Sequence, residues 1–279
     1  MAITERETGQ IEEANAAGRP AVVFIHGLWL LPSSWDRWSA LFREAGYAAL
    51  TPSWPDDPET VEEARANPQV FAKKTVGQVA DHVAEVIGKL TGKPAVVGHS
   101  FGGLLAQIIA GRGLSAASVA IDPARFRGVL PLPISSLRSA MPVLANPANR
   151  GRDVTLTLEQ FKYGWANALS EEEAAQLYET FHVAGPGAPL FQAATANLNP
   201  RTEAKVDTKN TERGPLLILD GGADHTVPWA IANASYKKQR HNNGVTEIAK
   251  IPNRGHALTI DSGWREVADS ALAFVKRFV

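Results

Sequence analysis

Ser100 stands in Gly98-His99-Ser100-Phe101-Gly102, a G-x-S-x-G run with apolar Ala95-Val96-Val97 before it and Gly103 after it. A serine on a tight strand-to-helix turn is forced into an unfavourable backbone conformation. Its neighbours must be small, because a Cβ would strike the adjoining strand or helix. In return the hydroxyl stands clear at the sheet edge, and the first N–H groups of the helix point at whatever it attacks. The chemistry this suggests is nucleophilic. A serine hydroxyl needs a general base in reach, and the base needs a third group to orient it. Among seven histidines, His256 lies in Pro252-Asn253-Arg254-Gly255-His256 after the last expected strand, where Gly255 is expected to let the backbone turn sharply. Asp224 follows an expected strand through Gly221-Gly222 and precedes Val227-Pro228. Asp220, ending the same strand, and Asp122, ending the one before, compete for the acid role. Asp122-Pro123 also reads as a plain turn.

These residues need elements to hold them. Ala21–Ile25, Tyr47–Thr51, Ala95–Gly98, Ser118–Asp122, Leu216–Leu219 and Val245–Ile251 are short apolar or β-branched runs that read as strands. Between them Trp35–Ala45 is helix-like and stopped by Gly46. Thr75–Thr91 carries an apolar stripe from Val76 to Leu90, with Thr75 and Gln78 at capping-box spacing and His82 off the stripe. Phe101 to about Gly111 is a small-residue helix. Later helices are expected near Trp229–Lys238 and from about Gly263. After Pro123 the alternation lapses into a proline-punctuated, helical stretch, with helix starts at Thr157 and Ser170. Strand–helix alternation, a helical excursion, then alternation again predicts an α/β fold: a parallel sheet with an inserted cap.

His26-Gly27 after the first strand, Gly-His-Ser-Phe-Gly-Gly, Gly222-Ala223-Asp224-His225-Thr226-Val227-Pro228 and Gly255-His256 together resemble the α/β-hydrolase superfamily, with a spacing from His26-Gly27 to Trp35-Asp36 similar to its serine esterase and haloperoxidase-like branch. The resemblance runs from about Pro20 to the C-terminus and is weak between Pro123 and Gly214. It implies Ser100 as nucleophile, His256 as base and Asp224 as acid, in the chain order of that fold. It implies an oxyanion hole of two backbone N–H groups, from Phe101 and Leu28, with Trp29 in place of Leu28 if the turn is shifted by one residue. His26 would belong to the oxyanion turn and His99 would pack behind Ser100. Members often have two further strands before the first motif. The few residues available here predict a trimmed sheet of about six. The expected organisation is a flexible N-terminal arm (1–19), a core domain (20–124 and 214–279) and a helical cap (125–213).

The remaining composition narrows the reading. A net charge of -1 over 279 residues offers no field for a polyanion, so nucleic acid and anionic membrane surfaces are poor partners. With no cysteine there is no disulfide framework and no thiolate metal site. No apolar stretch suggests a signal peptide or a membrane span, and a cytoplasmic protein is expected. No metal or organic cofactor is implied. Leu28, Trp29 and Leu30 with the cap aromatics predict a hydrophobic small-molecule pocket. The expected activity is hydrolysis of a small to medium hydrophobic ester through an acyl-enzyme. The same machinery serves amides, lactones, C–C bonds or peracid formation. Outside hydrolysis stand a small-molecule receptor with little turnover and a cofactor-free lyase or oxygenase that uses His256 alone. The oligomeric state is left open.

Overall fold

The computed structural model describes residues 2–279. In chain order its elements are α1 (Glu5–Ala17), β1 (Ala21–Ile25), α2 (Asp36–Glu44), β2 (Ala48–Leu50), α3 (Val61–Ala66), α4 (Val76–Gly88), β3 (Ala95–His99), α5 (Phe101–Gly111), β4 (Ala117–Ile121), α6 (Ile134–Leu144), β5 (Asp153–Val154), α7 (Leu158–Gly164), α8 (Glu171–Phe181), β6 (Gly185–Pro186), α9 (Ala188–Thr195), β7 (Leu216–Gly221), α10 (Trp229–Gln239), β8 (Thr246–Ile251) and α11 (Trp264–Val275). Six strands form one sheet in the order β2-β1-β3-β4-β7-β8, every pair parallel. This is the expected α/β-hydrolase architecture, trimmed to six strands. The central strands β3 and β4 are buried along their whole length. That burial explains why they read as continuous apolar runs rather than alternating ones.

One core face gathers Phe24, Trp35, Trp38 and Phe42 beneath α2 and α11. The other packs α4 and α5 against the opposite side of the sheet. Because β1 leads to β2 on one side while β3 lies on the other, the strand order reverses between β1 and β3. Ligand sites in open α/β sheets fall at the carboxyl ends of such a pair. His26-Gly27 leaves β1 there, and Ser100 leaves β3.

One local expectation needs correction. Residues 1–19, expected as a flexible arm, contain α1 from Glu5 to Ala17. Thr4 caps it in a full capping box with Glu7, and Gly18 ends it with φ 62°. The helix is docked rather than loose. Arg6 donates to the Thr51 carbonyl (2.9 Å), while Glu7 accepts from the Ser53 N–H (3.0 Å) and from His82 Nε2 (2.9 Å). This is also why His82, off the apolar stripe of α4, is nonetheless buried: α1 covers it.

Between β4 and β7 the chain leaves the sheet through α6, the small antiparallel pair β5–β6, α7, α8 and α9. Thr157 caps α7 with a full box to Gln160. Ser170 caps α8 alone, because Glu173 instead accepts from the Ser262 N–H. No helix among the described residues is long and apolar enough to cross a membrane.

Candidate active site

Ser100 occupies the turn between β3 and α5 with φ 58° and ψ −118°, a region where a non-glycine residue is strained. The flanking glycines make the turn possible. A Cβ on Gly98 would fall 2.0 Å from the Gly102 carbonyl oxygen, and one on Gly102 would fall 1.9 Å from that of Ile25. The turn is held by Ser100 N–H to the Ile121 carbonyl and by Ala124 N–H to the Ser100 carbonyl, both 2.9 Å.

His256 and Asp224 converge on this serine from loops far along the chain. Ser100 Oγ lies 2.9 Å from His256 Nε2, and His256 Nδ1 lies 2.6 Å from Asp224 Oδ2. Asp224 Oδ1 accepts from the Thr226 and Val227 N–H groups at 2.6 and 3.0 Å, so the carboxylate is aimed by the turn that leads into α10. An acceptor on that side requires the proton on Nδ1, which leaves Nε2 free to accept from the serine hydroxyl. The structure thus brings Ser100, His256 and Asp224 into one hydrogen-bonded line.

Asp122 stands close by but differently. Its Oδ2 is 3.9 Å from His256 Nδ1, beyond hydrogen-bond range, and its Oδ1 accepts from the Gly221 N–H (2.7 Å). Burial first, and then the charges of Asp224 and Asp220, raise its pKa well above the ordinary carboxylate value. Burial and Asp224 likewise push Asp220, at the end of β7 with neither oxygen partnered, up to about 8. His99 packs against His256 and Trp165, with ring centroids 4.7 and 5.5 Å away. Burial, then the neighbouring His256, drives its pKa well down.

Phe101 follows Ser100 at the start of α5, and Leu28 follows Gly27 in the turn after β1. A Cβ on Gly27 would fall 2.9 Å from Ser100 Cβ, so the turn after β1 lies directly against the serine. Phe101 opens α5 and therefore has no intrahelical acceptor for its N–H. Trp29 carries φ 62°. It is pinned by its indole N–H to the Val154 carbonyl (2.9 Å) and by its own carbonyl, which accepts from the Val183 N–H (3.1 Å).

Gly255 does not serve as expected. It has no left-handed φ; Asn253, at φ 57°, makes the turn. Gly255 is needed for close approach instead, since a Cβ there would lie 2.9 Å from Asn167 Oδ1 and 3.1 Å from the Trp165 carbonyl oxygen. Those contacts expose a residue whose place at the site the linear sequence does not show. Trp165 accepts from the Ala257 N–H (2.9 Å), and its ring meets His256 edge-on at 4.7 Å. The excursion thereby holds the histidine loop.

Ser100 opens into a cavity of about 160 Å³ walled by Trp29, Leu137, Ala140, Leu156, Trp165 and Val227 among others. Among the described residues Arg125 is the one charged side chain on its wall. Its guanidinium is committed to the Ala193 and Ala194 carbonyls.

A match to the alpha/beta hydrolase family spans residues 22–270. The chain belongs to that family. No curated protein matches the hydrolase's sequence. Solved structures do. The monoacylglycerol lipase of Paleococcus ferrophilus is 20% identical with a TM-score of 0.62, over 94% of this chain and 95% of that one. An extracellular alpha/beta-hydrolase from a Paenibacillus species, described as sharing structural and functional homology with tobacco Salicylic Acid Binding Protein 2, is also 20% identical, with a TM-score of 0.65 over 91% and 98%. A pyrethroid hydrolase from Sphingobium faniae is 16% identical with a TM-score of 0.65, over 92% and 97%. At such identities the likeness speaks for the fold.

Proposed function

We propose that this hydrolase cleaves carboxylic esters of small hydrophobic substrates through an acyl-enzyme on Ser100. The observation that carries the proposal is the continuous line from Ser100 Oγ through His256 to Asp224, ending in an apolar cavity. As Oγ attacks the ester carbonyl, Nε2 takes its proton, and Asp224 stabilises the imidazolium without itself being protonated. The anion that forms on the carbonyl oxygen is met by the Leu28 and Phe101 N–H groups. His256 then returns the proton to the departing alcohol. Water, activated by the same imidazole, releases the acid.

The cavity sets the scale of the substrate. About 160 Å³ is close to an apolar cavity that admits benzene, roughly 150 Å³. With Arg125 committed to carbonyls, an uncharged acyl or alcohol group of that size fits best. The similar structures include a monoacylglycerol lipase and a pyrethroid hydrolase.

The test is a series of p-nitrophenyl esters of increasing acyl length, run beside Ser100→Ala. Acetyl to hexanoyl esters are expected to turn over, with a decline for longer chains. Ser100→Ala is expected to lower kcat by about 10³-fold or more. Undiminished hydrolysis by that variant would rule out the acyl-enzyme.

A further inference from the structure

A helix at the surface of a folded protein turns its apolar face inward and leaves its outer face polar. α6 does not. Its inner face puts Ala140 on the cavity wall and buries Val143. Its outer face presents Ile134, Leu137 and Met141, spaced i, i+3 and i+7, all exposed. Among the described residues seven large apolar side chains are exposed, and five of them are these three with Leu130 and Leu132 in the loop just before. A sixth, Leu198, joins them from the far side of the excursion. Asn197 accepts from the Gly128 N–H (2.7 Å) and donates to the Val129 carbonyl (3.0 Å), which ties the turn of Leu198 to that of Leu130. Ile134 and Leu198 are each 85% exposed, so nothing in the chain itself covers them. An apolar patch gathered in this way marks a contact surface.

The charge around the patch says what kind of partner fits. Between Asp122 and Asp153 the sequence has five arginines and no acidic residue. Arg125 is turned inward to its carbonyls, but Arg127, Arg138, Arg150 and Arg152 are exposed. Asn149 donates to the Val143 carbonyl (3.0 Å) and so holds Arg150 and Arg152 beside the end of α6. None of the four is ion-paired among the described residues. Glu159, across a groove from Arg138, is answered by Lys162 (3.2 Å). The net charge of -1 averages this stretch with a net acidic remainder, and a surface in contact with the stretch feels the stretch, not the average. A second copy of the chain, docked face to face, sets arginine against arginine. An anionic lipid surface instead meets both properties: the arginines lie at its headgroups and the apolar side chains enter below them. The loop suits such entry, since Pro131 and Pro133 have no N–H to strip of water.

We propose that this face docks the protein on anionic phospholipid bilayers, with α6 lying in the interface and the mouth of the cavity turned to the lipid. Leu132 and Leu137 carry the second half of the statement, because both are exposed and both line the cavity that Ser100 lines. The apolar surface therefore runs unbroken from the outer face of α6 toward Ser100, and a hydrophobic ester dissolved in the bilayer enters without crossing water. Docking stands on the exposed face alone. The route for an ester rests on the ester-hydrolase reading of the site.

Flotation with large unilamellar vesicles tests docking without any turnover. Vesicles of phosphatidylcholine alone are compared with vesicles containing about one-third phosphatidylglycerol. Two paired variants are run beside the parent: Leu130→Ser with Ile134→Ser, and Arg150→Gln with Arg152→Gln. None of these four side chains lines the cavity, so thermal melting and p-nitrophenyl acetate hydrolysis are expected to match the parent. The parent is expected to float with the phosphatidylglycerol vesicles and to partition about tenfold less onto phosphatidylcholine. Each variant should lose about tenfold in partitioning to the anionic vesicles, the serine pair through lost apolar burial and the glutamine pair through lost charge. A parent that stays in the soluble fraction overturns the proposal. So does equal binding to both kinds of vesicle, or binding that either pair of substitutions leaves unchanged. Sedimentation velocity without lipid covers the remaining occupant. A parent that dimerises beside a monomeric serine pair would make the face a contact between copies and overturn the lipid assignment.

For the route, p-nitrophenyl hexanoate is supplied in the anionic vesicles. The parent should turn it over several-fold faster than the serine pair, and equal rates would place the mouth away from the lipid. If the parent floats as described but hydrolyses no ester, the functional reading fails and docking stands. If it hydrolyses esters in solution but does not float, docking fails and the functional reading stands.

Discussion

Three aspartates share the buried space beside His256, and they divide into one acceptor and two groups that favour their protonated form. Asp224 is fed by two N–H groups and by His256. Asp122 and Asp220 are pushed upward by burial and by Asp224. A protonated Asp122 adds no second charge near the imidazole, and asparagine mimics it. Asp122→Asn is therefore expected to keep kcat within about threefold, while Asp224→Asn, which presents the wrong partner to Nδ1, should lose roughly 10³–10⁴-fold. Steady-state kinetics on one ester decides, and the reverse ranking would move the acid to Asp122. Asp220 allows a stability test. Burial and Asp224 raise its folded pKa to about 8, above the ordinary aspartate value of about 3.9. Between those values the native state holds a proton that the unfolded state has lost, so stability falls as pH rises, by at most about 1.4 kcal/mol per unit. Asp220→Asn removes that titration. Its melting temperature should match the parent near pH 4 and exceed it increasingly toward pH 8. A gain independent of pH would show that Asp220 is ionised in the folded protein.

At the scale of elements, α1 is the test of how the sheet edge is finished. Only Ile11 and Ala14 of its apolar side chains are buried, so hydrophobic periodicity hardly marks it. Its docking is polar, through Arg6, Glu7 and Gln10. A signal was present nonetheless, since Thr4 and Glu7 have the spacing of a capping box. Burial opposes ionisation of Glu7, but bonds from His82, Thr4 and Ser53 outweigh it and lower its pKa. Glu7→Ala leaves His82 Nε2 and the Ser53 N–H without their partner and is expected to cost about 3 kcal/mol in urea unfolding. Glu7→Gln, which keeps an acceptor, should cost less. A loss under about 0.5 kcal/mol for the alanine variant would mean that α1 does not pack as seen.

At the scale of the whole molecule, the cavity belongs to no single segment. Trp29 comes from the turn after β1, Phe101 from α5, Ala140 from α6, Trp165 from the end of α7 and Val227 from the approach to α10. On the proposed reading, substrate size is set where these meet. Ala140→Phe fills the space without touching Ser100, His256 or Asp224. It should lower kcat/KM for p-nitrophenyl hexanoate by about tenfold and leave the acetate nearly unchanged, because lost pocket volume acts on the larger acyl group. Equal loss on both esters would place the acyl chain elsewhere.

Taken alone, the sequence determined the order of the strands along the chain, the elbow at Ser100 and the positions of Asp224 and His256. Each of these is written locally: a buried strand is a short apolar run, a strained turn demands Gly98 and Gly102, and a loop after a strand is where a polar side chain can leave the sheet. Only the tertiary structure shows which of Asp224 and Asp122 bonds to His256, since both follow strands and what separates them is 2.6 Å against 3.9 Å to the same nitrogen. It also decided that Gly255 serves close approach and that Trp165 holds the histidine loop. The same holds for Leu198, which stands far along the chain from Leu130 and yet joins the same exposed apolar face. These facts depend on distances between segments remote in sequence. Such distances are set by how the layers pack, and nothing in the spacing of residues along a single strand or helix encodes them.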